Sequence, residues 1–128
     1  MTIAVPSPKH RPMEERYAQV EKALALMGNT HTFNDILQLL EDGFMQSFAV
    51  GETWAVTQIL DFPQKRVCEI FLLAGELGQI EEVLEQVFAY ARQKGCHLVR
   101  GYGRPGWAHY ARPRGWTDDT HIYLKELV

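Results

Sequence analysis

The order of hydrophobic periodicities along this chain predicts a mixed α/β domain of the α+β kind: a mostly antiparallel sheet with helices on both faces and one parallel crossover. Helical spacing occupies the opening of the chain, and three strand-like runs separated by turn residues occupy its middle. A long amphipathic helix then divides the third run from a fourth. At 128 residues the chain has the length of one domain with a substantial core.

Met1 to Pro12 carries Pro6, Pro8 and Pro12 without periodicity and reads as an N-terminal tail, so the domain is taken as residues 13–128. Tyr17, Val20, Leu24 and Met27 recur at helical spacing, and Gly28-Asn29 is a C-terminal stop. Thr32 and Asp35 have the spacing of a capping box for a second helix with Ile36, Leu39 and Leu40 on one face, stopped by Gly43. Gln46 to Val50, Thr53 to Phe62 and Arg66 to Ala74 then read as an antiparallel meander turned at Gly51-Glu52 and Pro63-Gln64-Lys65. From Gly78 the helical period returns, with Ile80, Val83, Leu84, Val87, Phe88 and Ala91 on the apolar side and Gly95 closing it. His97 to Tyr102 reads as a strand, Pro105 to about Arg112 as a short helix, and His121 to Leu127 as a last strand.

Composition narrows the function classes. With 46% hydrophobic and 23% charged residues the chain reads as an ordinary globular protein, and a net charge of -3 gives no whole-surface attraction to nucleic acid or anionic membrane. No apolar run has membrane-spanning length, and the first residues lack a signal-peptide core. Cys68 and Cys96 form neither a disulfide framework nor a Cys-x-x-Cys pair, and the five histidines show no ligand spacing, so no metal is expected. Gly101, Gly103 and Gly106 formally fit a dinucleotide fingerprint, but no βαβ unit follows them.

The element order, the strand-to-helix junction at Leu73 to Ile80 and the ending Ala111-Arg-Pro-Arg-Gly-Trp116 resemble the GNAT superfamily of N-acetyltransferases. The resemblance implies that fold, with an acetyl-coenzyme A loop at Gly75, Gly78, Gln79 and Ile80. Gly78 matches the superfamily's loop; Gly75 stands where a polar or basic residue opens it, and β-branched Ile80 stands where a small residue lets phosphate approach. Glu76, Glu81 and Glu82 surround the loop, and no Lys or Arg lies between Arg66 and Arg92, so the expectation is a fold whose coenzyme chemistry has been lost. For an active transferase the resemblance implies Tyr110 as proton donor to the leaving thiolate. Glu69 or Glu52 would be the general base, although a strand carboxylate such as Glu69 reads more simply as solvent-facing.

Arg100, Tyr102, Arg104, Trp107, Tyr110, Arg112, Arg114 and Trp116 concentrate arginine and aromatic groups of the kind that dominate protein interfaces. They also suit single-stranded nucleic acid, which the acidic remainder of the chain disfavours. Gly-Cys-His before one strand, Gly-Arg-Pro-Gly-Trp after it and the closing Leu-Lys-Glu-Leu resemble small proteins of tailed-phage and prophage structural gene clusters. That resemblance implies a non-enzymatic virion or assembly protein, located in a virion or the bacterial cytoplasm. It would bind other phage structural proteins and itself as a homo-oligomer, with no cofactor and no membrane. The alternative is an acetyl-coenzyme A-dependent N-acetyltransferase with a divergent cofactor loop.

Overall fold

The computed structural model describes residues 17–103 and 105–128; the expected tail and Arg104 lie outside the described residues. Helix α1 (Tyr17–Leu26) ends where Gly28 and Asn29 take left-handed backbone angles, φ 92° and 53°. Helix α2 (Phe33–Glu41) starts at the predicted capping box. The Asp35 amide donates to Thr32 Oγ1 at 3.1 Å, and the Thr32 amide donates to the Asp35 carboxylate at 2.8 Å.

Strands β1 (Gln46–Val50), β2 (Thr53–Asp61) and β3 (Arg66–Ala74) form the meander, and β4 (Leu98–Gly101) adds in parallel beside β3 after helix α3 (Leu77–Gln93). The sheet order is β1-β2-β3-β4. Val20, Leu24, Phe33, Ile36 and Leu40 of α1 and α2 bury against Trp54, Val56, Phe71 and Leu72 on one face. On the other, Ile80, Val83, Leu84 and Val87 of α3 bury against Phe48, Ala55, Cys68 and Ile70. The expected layering, with helices on both faces and one parallel pair, is therefore the observed one.

One irregularity shapes the rest. Val56 pairs with Leu72 but Thr57 pairs with Ile70, so Phe71 is an extra residue, a bulge in β3. Pairing of β3 with β4 stops at Ile70 and Gly101, the position where the bulge begins. Beyond it Leu72 to Ala74 keep β2 on one side and have no strand on the other among the described residues, which makes a fork between β3 and β4.

The C-terminal expectation needs correction. After a 3-10 turn (Pro105–Trp107), the short helix α4 (Ala108–Ala111) and a second 3-10 turn (Arg112–Arg114), the chain to Val128 forms no strand. Ile122, Tyr123, Leu124 and Leu127 stay exposed. Their pattern reports β-propensity, but a strand also requires a paired neighbour, and no described residue pairs with them.

Candidate functional site: a buried carboxylate at a strand fork

Glu69 belongs to β3, where Cys68 and Ile70 point into the α3 core, so strand alternation turns Glu69 to the α1/α2 side. It is buried, with 2% of its surface exposed, which corrects the solvent-facing expectation. Its register partners are Gln58 on β2 and Arg100 on β4, and both side chains reach it. Gln58 Nε2 donates to Oε1 at 2.7 Å, and Arg100 Nε donates to Oε2 at 3.1 Å with Nη2 3.0 Å away. The Tyr102 hydroxyl, just past the end of β4, donates to the same Oε2 at 3.0 Å. Burial, and then the Glu69 charge, push the Tyr102 pKa upward, so this hydroxyl keeps its proton. The Phe62 ring lies over the Arg100 guanidinium, 5.0 Å from centroid to Cζ.

The strand-to-helix loop is shaped by Thr53. The Glu76 amide donates to Thr53 Oγ1 at 2.8 Å, and that hydroxyl donates to Gln79 Oε1 at 2.9 Å. Gly75 takes φ 143°, and a Cβ there would run into the Thr53 backbone, so glycine is required by close packing. The Gln79 side chain lies against Gly51 in the β1–β2 turn. Ile80 lies on the inner face of α3, 5% exposed, and packs in the core that this helix forms with the sheet.

Of the unpaired amides that open any helix, Glu76 is taken by Thr53 and Gln79 by the Glu76 carbonyl at 2.9 Å. Leu77 and Gly78 remain without an acceptor among the described residues, both exposed, with open space where a Gly78 Cβ would stand. Glu81, one of the three flanking acids, is ion-paired to Arg114 at 2.9 Å, a cation that arrives from a distant part of the chain. The loop therefore fits a pyrophosphate through two amides and an open approach, with less repulsion than the sequence alone suggests.

The arginine-aromatic segment does not form one surface. Arg100 and Tyr102 face the α1/α2 side with Glu69, whereas Trp107, Tyr110 and Trp116 pack onto the α3 core. Arg112 is paired to Asp118 at 2.9 Å, so Arg100, Arg112 and Arg114 all have carboxylate partners within the chain. Trp107 and Tyr110 meet edge to face at 5.4 Å, and Arg114 stacks on Tyr110 at 3.9 Å. A cleft of about 500 Å³ opens between α3 and this segment, lined by Leu84, Phe88 and Trp116 with Glu85 and Arg92. The Tyr110 hydroxyl is buried without a hydrogen-bond partner among the described residues, and burial raises its pKa. Glu69 and Tyr110 thus approach the sheet from opposite faces. Thr53, Gln58 and Phe62 were not singled out by sequence reasoning; their roles arise from strand register.

No family model matches the chain, and no curated protein matches it in sequence. Solved structures do. A tetramutant of the BH1408 protein from Bacillus halodurans superposes with a TM-score of 0.70 at 11% identity, covering 99% of both chains. The aminoglycoside acetyltransferase meta-AAC0020 from an uncultured soil metagenomic sample, in complex with sisomicin, gives 0.62 at 13% identity over 91% of this chain and 89% of its own. Aminoglycoside N-acetyltransferase AAC(6')-Iy, in complex with CoA, gives 0.57 at 15% identity over 89% and 92%. At such identities the likeness defines the fold, which is GNAT-like.

Proposed function

We propose that the protein is an acetyl-coenzyme A-dependent N-acetyltransferase with a divergent phosphate loop. The observation that carries this reading is the fork: a bulge parts β3 from β4 immediately beside a buried carboxylate whose hydrogen-bonded tyrosine stands where the strands separate. The unpaired side of Phe71 to Ala74 offers backbone groups to an extended ligand, and the Leu77 and Gly78 amides follow directly on that strand. Bound acetyl-coenzyme A supplies an acetyl thioester: a carbon–nitrogen bond forms to an amine, the carbon–sulfur bond breaks, and the amine proton is lost while sulfur gains one. In this reading Glu69 receives the amine proton by way of the Tyr102 hydroxyl, and Tyr110, with its unpartnered hydroxyl, is the donor available on the opposite face.

Isothermal titration with acetyl-coenzyme A tests the reading, with dephospho-coenzyme A as control. Binding at roughly micromolar concentration supports it. Absence of heat at millimolar ligand would remove the transferase. The fold would then be a scaffold for protein contacts, as the virion and assembly resemblance implies; that resemblance is the support for the virion role.

A further inference from the structure

Four ion pairs join described residues, and one differs from the rest. In Arg66–Asp61, Arg112–Asp118 and Arg114–Glu81 both partners are well exposed, whereas in Arg100–Glu69 the carboxylate side chain is 3% exposed and the guanidinium side chain 48%. Burying a carboxylate is costly, and such a pair contributes little stability beyond what apolar replacements would give. Its product is an arginine held in one position. Glu69 fixes the Nε and Nη2 edge and Phe62 covers the face, while Nη1 has no acceptor among the described residues.

We propose that Arg100 is a recognition group for a carboxylate on the acceptor, so that the acceptor class is a small molecule with an amine close to a carboxylate, as in an α-amino acid. The amine half of this statement rests on the transferase reading; the carboxylate half does not. A planar guanidinium with its outer edge free matches a carboxylate through directional N–H bonds. Glu69 already cancels the arginine charge, so the residual field suits a monoanion over a phosphate dianion. Tyr102 lies between this group and the fork, which places an acceptor held by Arg100 next to the hydroxyl that leads to Glu69.

The test is titration of the full chain, followed by amide NMR, with L-amino acids and their carboxamides: glycine, leucine, phenylalanine and lysine, each as acid and amide. At least one acid should bind roughly tenfold or more tightly than its amide, because the amide presents no anion to the guanidinium. Arg100→Gln should erase the preference, and so should Glu69→Gln/Arg100→Gln, which puts neutral amides in place of both charges and protects against unfolding by an orphaned carboxylate. Equal affinity for acid and amide, a preference that survives in both variants, or no binding by any of these compounds would overturn the proposal. Acetyl-coenzyme A titrated separately keeps the two readings apart: acid preference without coenzyme binding leaves the Arg100 site standing and removes the transferase.

Discussion

At the scale of single residues, the protein's chemistry depends on which side chains are dehydrated. Glu69 is dehydrated with three donors, so removing its principal cation should be felt: Arg100→Ala is expected to cost about 1–3 kcal/mol in urea unfolding. The figure is held below that for a fully buried pair because the guanidinium is half in water; a loss under about 0.5 kcal/mol would show that Gln58 and Tyr102 suffice. Tyr110→Phe is expected to lower acetyl transfer by about 10²-fold with an unchanged melting temperature. Unchanged turnover would take Tyr110 out of the chemistry. The two thiols should also separate by reactivity. Burial pushes Cys68 up to about 11, so at pH 8 iodoacetamide should label the partly exposed Cys96 well before Cys68. Mass spectrometry of partially labelled protein reads the order directly.

At the scale of elements, local chemistry fixes most boundaries. Thr32→Ala should cost about 1 kcal/mol, since it removes the acceptor that caps α2. The Thr32 amide and hydroxyl hold Asp35 below the ordinary carboxylate range. Its contribution is therefore present above the unfolded value and lost as pH falls through the folded one. Native and Asp35→Asn proteins should accordingly converge in melting temperature under acid. Gly75→Ala should destabilise more than either change, by about 1–3 kcal/mol, because its Cβ and Thr53 cannot share one position. Differential scanning calorimetry ranks all three.

The same contrast explains what the sequence revealed. Caps, glycine stops and hairpin turns are written in adjacent residues, and the meander, α2 and the parallel β3–β4 pair were legible for that reason. The environment of Glu69 was not. Gln58 lies 11 positions before it and Arg100 31 after, and register alone brings them together. Arg114 likewise neutralises Glu81 from 33 positions away, which no local charge pattern discloses. The bulge at Phe71 carries no glycine to signal it.

At the scale of the whole molecule, the sheet is closed by helices on both faces but leaves a strand-like C-terminal run with no strand partner among the described residues. Trypsin should reach Lys125 before any site inside β1 to β4, since the chain around it is exposed and has no strand pairing among the described residues. Earlier cleavage inside β1 to β4 would argue that the run is held in place.

The fork also divides a single strand into two regimes of solvent exchange. From Arg66 to Ile70 every β3 amide faces a neighbour and should hold deuterium out for as long as the core itself opens slowly. Past Phe71 only the amides turned toward β2 keep that shelter, and those turned toward the fork have no strand partner among the described residues. Read along β3, protection should pass from continuous to alternating at the bulge, and a molecule lodged in the fork would restore the missing half.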